Sequence, residues 1–206
     1  MISVAQQIAD HARLFFDVVG VGETPSSDSL LILGLESTPE RDLDEFRRVD
    51  SNFQIYGFEK HVGPRLESLV KFILEKGFSA TPVGRYGYPR KGEVNLKTEA
   101  IRAGLGRRGK NTVVLHPQYG PRLRVMAVRT DAPLEPTIGT SAKEEESPVC
   151  DACSICIDTC PVKALEPYRM LDTSLCLSNI AIMPFERERL IPCDICLHLC
   201  PAATDQ

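Results

Sequence analysis

The stretch Cys150-Asp-Ala-Cys153-Ser-Ile-Cys156-Ile-Asp-Thr-Cys160-Pro161 decides how this chain is read. Cys150, Cys153 and Cys156 are separated by two-residue gaps, and Cys160 follows after a three-residue gap, directly before a proline. Two-residue gaps curl the backbone tightly, so three thiolates converge on neighbouring irons of one cubane. The longer gap and the proline then turn the chain away, so the fourth thiolate serves a second cubane. A later block, Cys193-Asp-Ile-Cys196-Leu-His-Leu-Cys200-Pro201, repeats the phrase without its first cysteine, and Leu190 stands where that ligand would be.

Cys176 is the one thiol left over, and the count then closes. One 4Fe–4S cluster takes Cys150, Cys153, Cys156 and Cys200. The other takes Cys160, Cys176, Cys193 and Cys196. All eight cysteines of the chain are used once, and none precedes position 150. Zinc also takes Cys-x-x-Cys pairs, but its sites usually join two such pairs across one long spacer. Three cysteines at successive close steps would also scramble as disulfides, and a reducing compartment disfavours disulfides in any case. The residues from 150 to 206 therefore read as a bacterial-ferredoxin-like module for two 4Fe–4S clusters.

Working outward, residues 130–149 read as a linker, with Pro133, Pro136 and Pro148 around the acidic run Glu144-Glu145-Glu146. Residues 1–129 interleave helical and strand patterns, which predicts an α/β (α+β) sheet domain. Val4, Ile8, Phe15 and Val19 fall on one helical face, predicting a helix over 2–19. The apolar run 29–35 suits a buried strand, followed by a polar stretch over 36–50. Leu66, Leu69, Val70 and Ile73 predict a helix over 64–76, stopped by Gly77. Residues 96–103 read as helix, and 80–83, 112–116 and 123–128 as strands.

Gly104-Leu-Gly106-Arg-Arg-Gly109-Lys110-Asn111 fits both G-x-G-x-x-G and the lysine-bearing start of a P-loop. Each motif needs a strand before it and a helix after it. Here the order is reversed, and Asn111 replaces the hydroxyl residue that would hold magnesium. Two readings remain: a helix end with glycines for a tight reversal, or backbone amides and Lys110 lining a pocket for a polar cofactor or substrate. Arg102, Arg107, Arg108 and Lys110 form a basic group that reads first as a solvated face. Tyr86, Tyr88 and Tyr119 are candidate proton donors, with turn and core roles as the commoner fate. His11, His61, His116 and His198 are scattered, and His198 is expected to tune its cluster by hydrogen bonding rather than ligate it.

Ala103-Gly-Leu-Gly106, Gly109-Lys110-Asn111 and Pro117-Gln-Tyr119-Gly120, followed by Leu171-Asp-Thr-Ser-Leu-Cys176-Leu-Ser178 and the cysteine blocks, resemble the epoxyqueuosine reductase family, with its reductive dehalogenase-like superfamily. The resemblance spans most of residues 95–201. It implies a nitroreductase-like sheet domain that carries base-off cobalamin, with electrons passing through the two clusters to cobalt. It also implies Gly104, Gly106, Lys110, Asn111, Tyr119 and Ser178 as cofactor-binding positions. The sequence departs from the family in several places. Arg107 stands where an aromatic residue is common, Glu93 is the one acid near the position of the family's proton-donating Asp, and the segment from Cys176 to Cys193 is short. The chain ends six residues after Cys200, so the tRNA-binding extension is not expected.

These readings predict an iron–sulfur oxidoreductase that passes single electrons to a site in the sheet domain, with cobalamin as the open cofactor. The alternative is an electron-transfer subunit that docks to a partner enzyme, and a further one is epoxyqueuosine reductase-like activity on tRNA. A flavodoxin or ferredoxin is the expected electron donor. The net charge of −4 argues against a nucleic-acid partner. Neither a signal peptide nor a run of ~20 apolar residues is present, so a cytoplasmic protein without a membrane partner is expected.

Overall fold

The computed structural model describes residues 2–22, 28–49, 52–83, 94–137, 146–178, 180–182 and 189–203. In chain order the elements begin with α1 (Val4–Arg13), β1 (Val18–Gly22), β2 (Ser29–Glu36), β3 (Phe46–Val49), β4 (Asn52–Gln54), α2 (Tyr56–Glu75) and β5 (Thr81–Val83). They continue through α3 (Leu96–Arg102), β6 (Arg107–Arg108), β7 (Val114–Leu115) and β8 (Leu123–Thr130). The cysteine region adds α4 (Ile155–Asp158), β9 (Leu165–Glu166), β10 (Arg169–Met170), α5 (Thr173–Ser178), β11 (Ile180–Ile182), β12 (Arg189–Pro192) and α6 (Ile195–His198). The chain clusters into two compact units, each assembled from separate stretches. The first holds Met1–Leu35, Pro64–Arg107 and Leu123–Glu145; the second holds Glu36–Gly63, Arg108–Arg122 and Glu146–Gln206.

The first unit is a mixed α/β layer built on a sheet ordered β1-β2-β8-β5. β1 pairs antiparallel with β2, from Val18 opposite Gly34 to Gly22 opposite Leu30. β5 pairs antiparallel with β8, from Thr81 opposite Arg129 to Val83 opposite Ala127. Leu30 to Leu33 and Leu35 are all buried, so β2 is apolar on both faces rather than alternating. Each such leucine contributes about 1.5–3 kcal/mol by leaving water. Ile8 and Ala12 of α1 are buried in the same core. Ser3 starts α1 by accepting the Gln6 N–H at 3.2 Å, the usual N-cap bond.

The helix expected over 2–19 stops at Arg13. Val18, Val19 and Val21 go into β1 instead, because β-branched side chains lose freedom in a helix and fit a pleated sheet. The helix expected from 64 begins eight residues earlier, at Tyr56, and Pro64 lies inside it. Buried Val62, Leu66, Leu69 and Ile73 keep one face at helical spacing across that proline. Gly77 ends the helix as expected. Its φ is +88°, its N–H donates to Leu74 O at 2.9 Å, and the Phe78 N–H reaches back to Ile73 O at 3.3 Å. The strand expected over 112–116 shrinks to the two residues of β7, since Thr112 sits at φ +68°, outside the extended region.

The second unit has its own sheet, ordered β11-β12-β3-β4. Leu190 pairs with Phe46 and Arg189 with Arg47 in the antiparallel register of β12 and β3. The polar stretch over 36–50 thus contributes a strand to the cysteine region. Gly57, in the first turn of α2, seats against the turn before β3, with its N–H on Glu45 O at 3.0 Å. Among the described residues no helix is long and apolar enough to cross a membrane.

Candidate metal centre

The two cysteine blocks fold as the same local structure. In the first, the N–H groups of Ile157 and Asp158 donate to Ser154 O, Thr159 to Ile155 O and Cys160 to Ile157 O. In the second, Leu197 and His198 donate to Asp194 O, Leu199 to Ile195 O and Cys200 to Leu197 O. Each block is one short helical turn, α4 or α6, that carries its middle cysteine and ends at Cys160-Pro161 or Cys200-Pro201. All eight cysteines are free thiols.

The thiols gather in two groups. Cys150, Cys153, Cys156 and Cys200 line one cavity together with Lys110, Asn111, Val149 and Pro201. Burial pushes the Cys156 thiol up, and Cys150, Cys200 and Cys153 push it further by repulsion between neighbouring charges. The Cys200 thiol rises by burial too, against a backbone N–H from Ala202 that favours the thiolate. Cys160, Cys176 and Cys196 share the other group, packed around Ala164 and Leu165. Burial drives Cys196 up to about 12, with Cys176, Cys193, Cys156 and Cys160 adding to the shift. The presence of Cys156 in that set places the two thiol groups next to one another. Leu190 is taken by its pairing in β12, and Cys176 reaches the second group from α5. Among the described residues no three His, Cys, Asp or Glu side chains stand close enough to hold a single metal ion.

Lys110 and Asn111 belong to this centre. The Lys110 N–H points at Cys150 Sγ at 3.5 Å, and its ammonium donates to the carbonyls of Asp151 (3.2 Å) and Cys153 (3.0 Å). Asn111 is buried; its Nδ2 donates to Cys196 O at 2.9 Å, and its Oδ1 accepts the Val113 N–H at 3.4 Å. The dipeptide therefore ties a loop of the first thiol group to a helix of the second.

Gly104, at φ +76°, ends α3 in the first unit, with its N–H on Ile101 O at 2.9 Å, and Gly106 follows two residues on. This is the tight helix reversal that was one of the two readings of the glycine run. Tyr119 stacks on His116 at a centroid distance of 4.8 Å. Ser178 is the last residue of α5, and its side chain lies outside the described residues, as do Tyr86, Tyr88, Glu93, Glu144 and Glu145. Arg102 pairs with Glu99 at 2.9 Å. His198, expected to tune its cluster, is exposed, and its Nδ1 faces Asp194 at 3.7 Å. Sequence reading missed Lys163 and Tyr168. The Tyr168 ring packs on Leu115, Cys150 and Cys200, and burial, then Glu146, Cys150 and Asp151, push its phenol to about 12. Neither residue carries a spacing signal that could have marked it.

His116 gives a prediction about acid. Its Nδ1 accepts the N–H groups of Gln118 (3.1 Å) and Tyr119 (3.3 Å), and burial holds its pKa below the ordinary value. Its contribution to stability is complete above pH ~6.5 and is lost as pH falls through the folded-state pKa, because the unfolded chain then binds the extra proton. His11, also lowered by burial, adds in the same direction. Thermal unfolding should show a falling midpoint from pH 7 to pH 5, and His116→Gln should flatten part of that fall. An unchanged slope in the variant would contradict this assignment.

The fold and the paired thiol groups define an α/β protein with a cysteine module, and comparison with known proteins identifies its relatives. No family model matches the chain. The epoxyqueuosine reductase of Listeria monocytogenes is 31% identical over 119 residues, which cover 53% of this chain and 30% of that protein. The epoxyqueuosine reductase of Cyclobacterium marinum is 27% identical over 189 residues, covering 84% of this chain and 57% of that one. The structure of epoxyqueuosine reductase from Streptococcus thermophilus superposes with a TM-score of 0.65 at 16% identity, over 98% of this chain and 66% of that one. A reductive dehalogenase whose structure suggests a mechanism for B12-dependent dehalogenation gives 0.62 at 17% identity, over 83% and 28%. The chain is a homologue of the epoxyqueuosine reductases and has the fold they share with reductive dehalogenases, the superfamily its motifs resemble. It spans under two thirds of these curated relatives.

Proposed function

We propose that the chain is an iron–sulfur oxidoreductase whose cysteine module holds two 4Fe–4S clusters and passes single electrons to an acceptor in the sheet unit. The supporting observation is the exchange of fourth ligands. Cys200 joins Cys150, Cys153 and Cys156, while Cys160 joins Cys176, Cys193 and Cys196. The donor set fits the clusters: soft thiols, half or fully buried, with no disulfide among them. Thiols lose their protons on binding iron, so cluster assembly would release protons and weaken in acid, the more so where burial pushes Cys156, Cys196 and Cys200 up. On this reading the module is of the bacterial ferredoxin type, the sheet unit is nitroreductase-like, and the reductant is a flavodoxin or ferredoxin.

Cobalamin is the proposed acceptor, on the strength of the B12-dependent relative. When bound, it would supply a low-valent cobalt to the substrate. Lys110 and Asn111, two of the expected cofactor positions, are both engaged at the thiol loops. That engagement favours a second reading, in which the chain delivers electrons to a partner enzyme. An anaerobic ultraviolet–visible spectrum recorded before and after adding cobalamin separates the two. Stoichiometric uptake supports the reductase. Intact cluster absorption without uptake supports the carrier.

A further inference from the structure

Each thiol group has its own lysine, and the two lysines are used in the same way. At the first group, the Lys110 ammonium donates to the carbonyls of Asp151 and Cys153, inside the loop that carries Cys150 and Cys153. The N–H of the same residue points at Cys150 Sγ at 3.5 Å. At the second group, the Lys163 ammonium donates to Asp158 O at 2.8 Å and its N–H to Cys160 O at 3.2 Å. The next N–H, that of Ala164, points at Cys160 Sγ at 3.3 Å. Lys163 holds φ +50°, an uncommon conformation for a residue other than glycine, and it is this backbone turn that brings the two N–H groups onto Cys160. Lys110 and Lys163 are 53 residues apart and lie in unrelated sequence contexts, yet each supplies a cation at the loop carbonyls and a backbone donor at or beside one sulfur.

We infer that Lys110 and Lys163 are paired positioning residues, each seating the ligand loop of one cluster and raising that cluster's reduction potential. The inference rests on the two-cluster reading proposed above. Reduction adds negative charge to a cluster, and a fixed cation or an N–H aimed at sulfur stabilises the added electron. Lys110, with two carbonyl partners and the less exposed site, carries the larger effect. Lys163, whose ammonium bond is exposed, carries a smaller effect that salt screens more.

The test is an anaerobic redox titration of the full chain followed by electron paramagnetic resonance, with iron measured on every sample. Wild type is expected to show two reduced-cluster signals, and Cys176→Ala assigns the surviving one to the first group. Lys110→Gln should move the first signal to a more negative potential and leave the second in place. Lys163→Gln should do the reverse, by less. Lys110→Arg should restore most of the lost potential. Loss of about half the iron in Lys110→Gln, with secondary structure retained and rescue by Lys110→Arg, also supports the inference. If Lys110→Gln unfolds, Lys163→Gln alone decides: a shift confined to the second signal supports it and no shift overturns it. Two signals in wild type that neither substitution moves overturn the inference and leave the two-cluster reading standing. Wild type without iron overturns that reading instead.

Discussion

On the two-cluster reading, Cys176→Ala is expected to lower the iron of the anaerobically reconstituted chain from about eight to about four per molecule and to spare the cluster proposed on Cys150, Cys153, Cys156 and Cys200. Cys176 is the one ligand outside the two repeated blocks. Its sulfur comes from α5, a six-residue helix preceded by Asp172, whose side chain accepts the Ser174 N–H at 2.7 Å and whose carbonyl accepts the Cys176 N–H at 3.4 Å. The side chain packs beside Cys160 and Cys196 and does not line the cavity of the first group. With Cys160, Cys193 and Cys196 alone, the second group would lack a fourth thiolate for its cluster. The first keeps its full set, because its fourth ligand is Cys200 rather than Cys160. A variant that keeps about eight irons, or loses all of them, contradicts the division of ligands. Cys153→Ala should give the mirror result, removing the first cluster in preference to the second.

Gly57→Ala is expected to destabilise the protein by about 3 kcal/mol or more. An added Cβ would lie 1.8 Å from the Asp42 carbonyl oxygen and 3.0 Å from its carbon, with Glu45 Cβ at 3.1 Å. Two of these atoms are backbone and the third is a Cβ fixed to its own backbone, so no flexible side-chain end can yield. The Gly57 N–H is also committed to Glu45 O, which holds α2 against the turn that leads into β3. β3 pairs with β12, and β12 runs directly into Cys193. A shift at Gly57 is therefore passed along a hydrogen-bonded path to a ligand of the second thiol group, and reduced cluster uptake should accompany the lower denaturation midpoint. A loss under about 1 kcal/mol would show that the close approach is easily relaxed.

The sequence made the cysteine module legible because its signal is local. Fixed gaps and a following proline determine where each thiol goes, and the matching hydrogen bonds of α4 and α6 repeat that pattern at the backbone. The apolar run of β2 and the glycine stop of α2 were legible for the same reason. What could not be read is long-range. The polar stretch over 36–50 has no strand signal of its own, and β3 sits between the adjacent β4 and β12, the latter some 140 residues away. Val18 and Val19 continue an apolar helical face, and only the register with β2 makes them strand. At the candidate site, the Gly109-Lys110-Asn111 segment reads either as part of a tight reversal or as lining a pocket for a polar cofactor or substrate. Its chemistry was noticed and its partner was not, since a turn over 109–112 aims both side chains at cysteine carbonyls 43 to 85 positions later. Lys163 is a lysine in a short turn, and nothing but the placement of Cys160 gives it a role.

The most direct test of the account is the mass of the intact chain, measured under native, oxygen-free conditions with and without prior acid stripping. Two successive losses, each equal to four irons and four sulfides, are expected on stripping, with eight reduced thiols left behind. A holo mass carrying two zinc ions, or a stripped mass short of hydrogens because sulfurs have joined as disulfides, would contradict it.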